Sequence, residues 1–338
     1  MVEIQDLINT VRNLSDKERK MVIDELLSHA IDFIKLKTVQ VDDNGIACPH
    51  CESTRIIRYG KLNKNQNINR FYCKNCRATF TPFTGTSIHW VHKKKLWQRY
   101  IELMLDGTSI RKSAELLGIS TVTSFNWRHK ILSALSNSIH FQGIVESDET
   151  YFRESQKGSR KLKRPARKRG LGDNQTTRGI SIDKVAVVVS ADRSGNVDMV
   201  KAAMGRIKIS HLVDAFRGKL SSDNILCSDS HHTYKGYAKW RKVEHKMVNA
   251  SKKQYVNQKI YHIQHVNSIH RDLKYWIDEH FYGVATKYLH NYLCWMMLLG
   301  KIKTSSNKAE LFFGEVLMSN KSRKVYSNIE LEYLKFVA

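Results

Sequence analysis

Val145-Glu-Ser-Asp-Glu-Thr-Tyr-Phe152 and Ile225-Leu-Cys-Ser-Asp229-Ser-His-His232 are the stretches on which the reading turns. In each, apolar strand-forming residues run into an aspartate and then into polar residues. If the two strands are neighbours in one sheet, both carboxylates reach the same edge. Paired hard oxygen ligands suit Mg²⁺, which keeps several waters and accepts phosphate oxygens. Two such ions can serve the attacking and leaving oxygens of phosphodiester chemistry. A lone aspartate after a strand is more often a turn residue than a ligand, so the pair needs a third partner.

A later helical stretch supplies one. Asn267, His270, Lys274 and Ile277 stand at i, i+3, i+7 and i+10, on roughly one face. Asp272 lies about 200° round the helix from His270. His270 is therefore the best-placed ligand; a neutral imidazole suits Mn²⁺ at least as well as Mg²⁺. Lys274, one turn on, can hold a phosphate oxygen as a compact cation. The plain alternative for both residues is a polar helix face. Glu149 and Glu244 are further carboxylates, ranked below His270, and His231 and His232 either touch a substrate or cap a turn.

Around these motifs, 144–250 alternates strand-like runs with turns: 143–148, 184–190, 196–200 and 224–229, with one helical segment at 210–220. Helical patterns return at 264–280 and 284–299. Upstream, 3–37 reads as helical, with Ser15-Asp-Lys-Glu18 as a capping box.

Cys48-Pro-His-Cys51 and Cys73-Lys-Asn-Cys76 are two Cys-x-x-Cys knuckles, and four thiolates so spaced close a tetrahedral zinc site. Cys48, Cys51, Cys73 and Cys76 leave no open position, so the site is structural. A disulfide pair is the rival and fits a cytosolic chain poorly. The ribbon's Arg55, Arg58, Lys61, Lys64, Arg70, Lys74 and Arg77 point toward DNA; a ribbon used for protein contacts stays open.

Thr108 to Ser120 reads as a short capped helix with a Gly118 turn, and Thr121 to Leu132 as a second helix. This is a helix-turn-helix pattern, with Thr121, Thr123, Ser124, Arg128 and Lys130 expected to face a groove. A plain helical hairpin is the alternative. Lys157 to Gly170 holds 8 basic residues in 14 and no acid. Lys161, Lys163, Arg164, Arg167, Lys168 and Arg169 are the expected DNA-gripping side chains of this loop.

The composition agrees. The chain has 338 residues, with 56 Lys+Arg against 32 Asp+Glu and a net charge of +24. Residues 1–45 hold 9 acids and 6 bases, so the positive excess lies beyond them. Nucleic acid is the polyanion that best rewards such a surface. The longest apolar run, Tyr292 to Leu299, is far short of the ~20 residues of a spanning helix, and no membrane partner is expected. The opening residues lack a secretory pattern. A cytoplasmic, nucleoid-associated location is expected.

Taken together, these pieces resemble the bacterial insertion-sequence transposases of the DDE superfamily. They are similar to the ISXO-like zinc-ribbon group, whose catalytic pattern is Asp, Asp, a variable third residue, then Lys. The likeness runs from about Cys48 to Trp295. It is carried by Cys48-Pro-His-Cys51, Ser147 to Phe152, Ser228 to Tyr237, Val266 to Lys274 and Gly283 to Trp295. It implies an RNase H-like core with Asp148 and Asp229 as Mg²⁺ or Mn²⁺ ligands, His270 in the third position and Lys274 as the motif lysine. It also implies binding of double-stranded DNA at terminal inverted repeats, then strand cleavage and transfer through a 3′-hydroxyl, in a homodimer or larger assembly. The superfamily's usual third residue is Glu, and here it is His270.

The expected fold class is α+β multidomain: an N-terminal helical segment (1–43), a zinc ribbon (44–90), a helix-turn-helix domain (91–139), an RNase H-like mixed α/β catalytic domain (140–300, with a basic loop at 153–180) and a C-terminal tail (301–338). A non-catalytic DNA-binding regulator with the same ribbon and helices is the competing reading, and a nuclease without strand transfer is a third.

Overall fold

The computed structural model describes residues 15, 46–63, 66–136, 139–162, 180–249, 252–319 and 322–337. The expected N-terminal helical segment lies outside these, apart from Ser15. So do Lys163, Arg164, Arg167, Lys168 and Arg169 of the basic run. In chain order the elements are β1 (Ile56–Asn63), β2 (Gln66–Cys73), β3 (Thr79–Phe80), α1 (Trp97–Leu105), α2 (Ile110–Leu116), α3 (Thr121–Leu132), β4 (Ile144–Arg153), β5 (Lys184–Asp192), β6 (Val197–Met204), α4 (Ile209–Phe216), β7 (Ile225–Asp229), α5 (His232–Arg241), β8 (Glu244–Val248), α6 (Gln264–Tyr275), α7 (Thr286–Lys301), α8 (Lys308–Met318) and α9 (Ser322–Val337). A π-helical turn, Trp276–His280, follows α6. The chain divides into two units, 1–130 with 307–323 and 131–306 with 324–338.

In the first unit, β1, β2 and β3 form an antiparallel ribbon. Its small core is Cys48, Phe71, Cys73 and Phe80, with the two phenylalanine rings stacked 5.5 Å apart. Downstream, Trp97, Tyr100, Ile101 and Met104 recur at helical spacing and bury one face of α1. Ser109 caps α2 by accepting from the Lys112 N–H, and Ser120 accepts from the Thr123 N–H at the start of α3. Gly118, at φ +59°, makes the turn between them.

A short helix, a turn and a second helix are thus present, but α3 does not present the face the sequence suggested. Arg128 is 1% exposed and donates to the Thr108 carbonyl at 2.6 Å. Ser124 is buried as well, donating to the Ile110 carbonyl at 2.8 Å. These two residues, expected to face a groove, instead tie α3 to the start of α2. A charged residue reads as surface in a sequence; here an open backbone carbonyl gives the guanidinium an interior partner. Thr121 remains exposed, and Lys130 is half-buried.

The second unit is built on a five-stranded mixed sheet in the order β6-β5-β4-β7-β8. β6, β5 and β4 are antiparallel, whereas β4, β7 and β8 are parallel. β5 is nearly all apolar because both of its faces are covered. Val145, Ala186, Val188 and Leu226 pack with Leu212 and Phe216 of α4 and Tyr234 and Tyr237 of α5. Gly236 lets those helices meet: a Cβ there would stand 2.7 Å from the Ile209 side chain. α6 packs on β4 and β5.

Three differences from the sequence reading stand out. β4 does not end at Asp148 but continues to Arg153 along β5. α5 and β8 fill a stretch read as strands and turns. Residues 301–338, read as a tail, form α8 and α9. α8 packs on α1, while Tyr333 of α9 donates to Glu154 at 2.6 Å.

Replacing Arg128 by alanine removes a buried charged donor and opens a hollow beneath α3. The expected loss is ~2–4 kcal/mol in urea denaturation of the full chain, with Thr121→Ala within about 0.5 kcal/mol of wild type.

Candidate active site

The parallel pairing of β4 with β7 matches Ile144 to Ile225, Val145 to Leu226 and Glu146 to Cys227. Continued by two residues, that register sets Asp148 opposite Asp229. β7 ends there, so both carboxylates stand where the two strands part. On β4 successive side chains alternate in direction. Val145 enters the core under α4 and α5, while Glu146 and Asp148 meet α6.

His270 is 9% exposed on α6, and its Nδ1 lies 3.9 Å from Asp148 Oδ2. Its Nε2 is buried without a hydrogen-bond partner. Burial, then the nearby Lys274, pushes the imidazole down to about 4, so it is neutral at pH 7 and able to ligate. Asp148 is pushed up to about 7 by burial first, then by the charges of Glu149 and Asp229, with Lys274 working the other way. Glu149 is raised by burial and by Asp229, and its Oε2 is also buried without a partner. Asp229 accepts from the His231 backbone N–H at 2.9 Å. The structure therefore brings Asp148, Asp229, His270 and Lys274 to one neighbourhood.

Asp148 and Asp229 beside a neutral imidazole form a site whose repulsion a divalent cation relieves, and the orphaned His270 nitrogen fits the same chemistry. Glu149 alternates to the α5 side of β4, with Tyr151 and Tyr234, and adds its charge from there. Among the described residues, two sets of side chains have ligand atoms all within 4.8 Å of one another. They are the four cysteines, and Glu146 with His262 and His265. Asp148, Asp229 and His270 are spread more widely. Glu244 stands apart: it pairs with Ile225 at the far end of β7 and bonds Lys246 at 2.9 Å.

In the ribbon, the Cys48–Cys76 and Cys51–Cys73 sulfurs are each 3.6 Å apart. The two knuckles share one backbone pattern. Glu52 N–H donates to the Cys48 carbonyl as Arg77 N–H does to Cys73, and Glu52 and Arg77 both take φ near +60°. Cys73 is drawn down to about 6, first by the Cys76 N–H. Cys76 ends near 12: the Ala78 N–H lowers it, but desolvation and the three neighbouring sulfurs outweigh that. Such mutual repulsion, in a closed set of four sulfurs, fits a structural Zn²⁺.

Lys161 is exposed at the start of the basic run. The segment containing it is closed at its base, where Glu154 N–H donates to the Asp183 carbonyl at 2.9 Å. Lys157 donates to the carbonyls of Phe281, Tyr282 and Gly283 at 2.8–3.0 Å. It therefore serves the protein's own backbone. No helix among the described residues is long and apolar enough to cross a membrane.

Residues 140–296 match the family model described as the ISXO2-like transposase domain. A protein in the transposable element ISH50 of Halobacterium salinarum is 36% identical over 159 residues, 44% of this chain and 50% of that protein. The chain thus spans half the length of that relative. The recurrence of the insertion-element assignment supports an insertion-sequence transposase, as the sequence motifs implied. Among solved structures, a simian T-cell lymphotropic virus intasome with the PP2A subunit B56 gamma aligns at TM-score 0.28 and 14% identity, over 58% of this chain and 67% of that one. A pre-cleavage Mos1 transpososome aligns at 0.22 and 12%, over 65% and 78%. Scores of this size do not define a fold, and the strand order above stands without them.

The proton on Asp148 has a measurable consequence. Its folded value lies above the ordinary 3.8, so the folded state holds a proton that the unfolded chain gives up. Metal-free stability from this group falls as pH rises from about 4 to about 7. His270, depressed, acts in the opposite sense below pH 6.5, so the comparison is with Asp148→Asn. Without added divalent metal, the variant should melt roughly 5 °C above wild type at pH 8 and level with it near pH 4. Added Mn²⁺ should raise the wild-type midpoint only. In the ribbon, Cys48→Ser should reduce bound zinc from one equivalent per chain to none by atomic emission.

Proposed function

We propose that the chain is a DDE-type transposase that binds the terminal inverted repeats of its element and catalyses metal-dependent strand cleavage and strand transfer. The observation that supports this best is the meeting of Asp148 and Asp229 on adjacent parallel strands, with His270 Nδ1 3.9 Å from Asp148. The sheet order, with three antiparallel strands and two parallel ones beside the first, supports an RNase H-like core.

Asp148, Asp229 and His270 would hold Mg²⁺ or Mn²⁺; bound there, the ions supply Lewis acidity to the oxygens entering and leaving phosphorus. Lys274, exposed on the last turn of α6, pairs with a non-bridging phosphate oxygen. In the first step water attacks the scissile phosphorus and O3′ leaves, freeing a 3′-hydroxyl at the element end. In the second that hydroxyl attacks a target phosphorus, one P–O bond forming as another breaks. No residue of the chain bonds to DNA.

The four-cysteine cluster fits a structural Zn²⁺ that stiffens the ribbon. Its exposed face sets Tyr59 beneath the Arg70 guanidinium, 5.4 Å away, and offers charge and a ring to a DNA backbone. Lys161, Lys163, Arg164, Arg167, Lys168 and Arg169 add a basic grip on DNA from the run inserted after β4 in the sequence. The half-buried Lys130 adds less, and Arg128 acts from inside the fold. Two element ends must be cut together, which favours a homodimer or larger assembly.

The test is cleavage of a labelled duplex ending in the element's own repeat, with Mg²⁺ or Mn²⁺. Wild type should nick the end and join it to a target plasmid, and Asp148→Asn and Asp229→Asn should lose at least 10³-fold in rate while still binding DNA. Binding without cleavage by wild type would make the chain a DNA-binding regulator, and cleavage without joining a nuclease.

A further inference from the structure

Glu146 lies outside the candidate ligand set, yet it is the most heavily engaged carboxylate beside it. Its side chain is 1% exposed. Oε2 accepts from the backbone N–H groups of His265 at 3.0 Å and Val266 at 3.3 Å. Oε1 lies 2.7 Å from His265 Nδ1, 3.4 Å from His262 Nδ1 and 2.9 Å from the Arg193 guanidinium. Arg193 also reaches His262 Nε2, His265 Nδ1 and the Ile260 carbonyl, at 2.8–3.1 Å. With a guanidinium already among these groups, the Glu146–His262–His265 set reads as a closed polar latch and not as a second metal site.

The latch sits at the N-terminus of α6, where a helix welcomes negative charge. Further along α6 comes the contact of His270 with Asp148. From Glu146 to Asp148 the strand advances ~7 Å at ~3.3 Å per residue. From His265 to His270 the helix advances ~7.5 Å at ~1.5 Å per residue. The two contacts are therefore spaced alike on both elements. Two attachments at matched spacing fix how far α6 slides along β4 and how it is rotated. Either contact alone leaves the helix free to pivot about it.

We infer that Glu146, locked by Arg193, is a positioning residue that sets the register of α6 on β4 and so places His270 and Lys274 against Asp148. The consequence for catalysis rests on the transposase reading above; the docking itself does not.

The experiment compares full-length wild type with Glu146→Gln, which keeps shape and acceptor oxygen but loses the charge, and with Glu146→Ala/Arg193→Met, which removes the buried carboxylate and its guanidinium partner together. Hydrogen exchange is followed by mass spectrometry across the chain. Exchange within 264–275 should rise at least tenfold in Glu146→Gln, with peptides of β4, β5 and β7 unchanged. In end cleavage, the Mn²⁺ concentration for half-maximal rate should rise about tenfold, while the rate at saturating Mn²⁺ stays within threefold. The double variant should keep wild-type exchange in the strands and show the same Mn²⁺ shift. Unchanged exchange in 264–275, or a rise spread evenly over the sheet, overturns the inference. So does a local rise with wild-type Mn²⁺ dependence. If wild type does not cleave at all, the transposase reading falls, and the exchange pattern alone decides whether Glu146 docks α6.

Discussion

The site depends on one constraint: parallel pairing of β4 with β7 forces like charges together. Asp148 and Asp229 come from positions 81 apart in the chain, and the register carries them to neighbouring places where the two strands part. Glu149, next along β4, adds a third charge through the same wall. In the absence of a cation, burial first and this crowding second work against the charged carboxylate, and Asp148 holds a proton near neutral pH. The surrounding structure supplies what keeps the strands paired. α4 and α5 seal one face with Leu212, Phe216, Tyr234 and Tyr237, and α6 seals the other with a polar latch.

The buried polar groups near the site divide by the completeness of their partners. Glu146 has five neighbours for two oxygens and is finished as a structural joint. His270 Nε2 and Glu149 Oε2 have none. A buried group left without a partner costs stability, and for His270, beside Asp148, a bound cation would relieve it. Arg128 is structural on other ground: its guanidinium donates to the Thr108 carbonyl at 2.6 Å from inside the fold.

Much of the second unit was legible in the sequence because burial writes long apolar runs. Lys184-Val-Ala-Val-Val-Val-Ser190 could hardly be anything but an inner strand. The four-cysteine set carried its chemistry in its spacing, whereas the two aspartates were marked only by the strand-like runs before them and by the family resemblance. β8 was hidden because an edge strand, Glu244-His-Lys-Met-Val248, opens with three polar residues, buries only Val248 and offers no continuous core signal. α5 was hidden by its polar composition and by Gly236, which marks a helix crossing that no local pattern reveals. α8 did leave a trace in the buried pair Phe312 and Val316, four residues apart. Arg128 and Glu146 were illegible for a common reason: the value of a buried charge lies in a distant partner, and sequence distance hides it.

The junction of β4 and β5 carries one more consequence. Arg153 pairs with Lys184, and the Glu154–Asp183 bond shuts the hairpin just beyond. Beyond that closure Ser155 bonds Thr286 in both directions and Lys157 grips the carbonyls of Phe281 to Gly283, so the start of the insert is sewn to the fold. Closing a loop of twice the length costs only ~0.6 kcal/mol more. Lengthening the sequence after those stitches therefore costs the fold little, and the carboxylate pair stays where the strands put it.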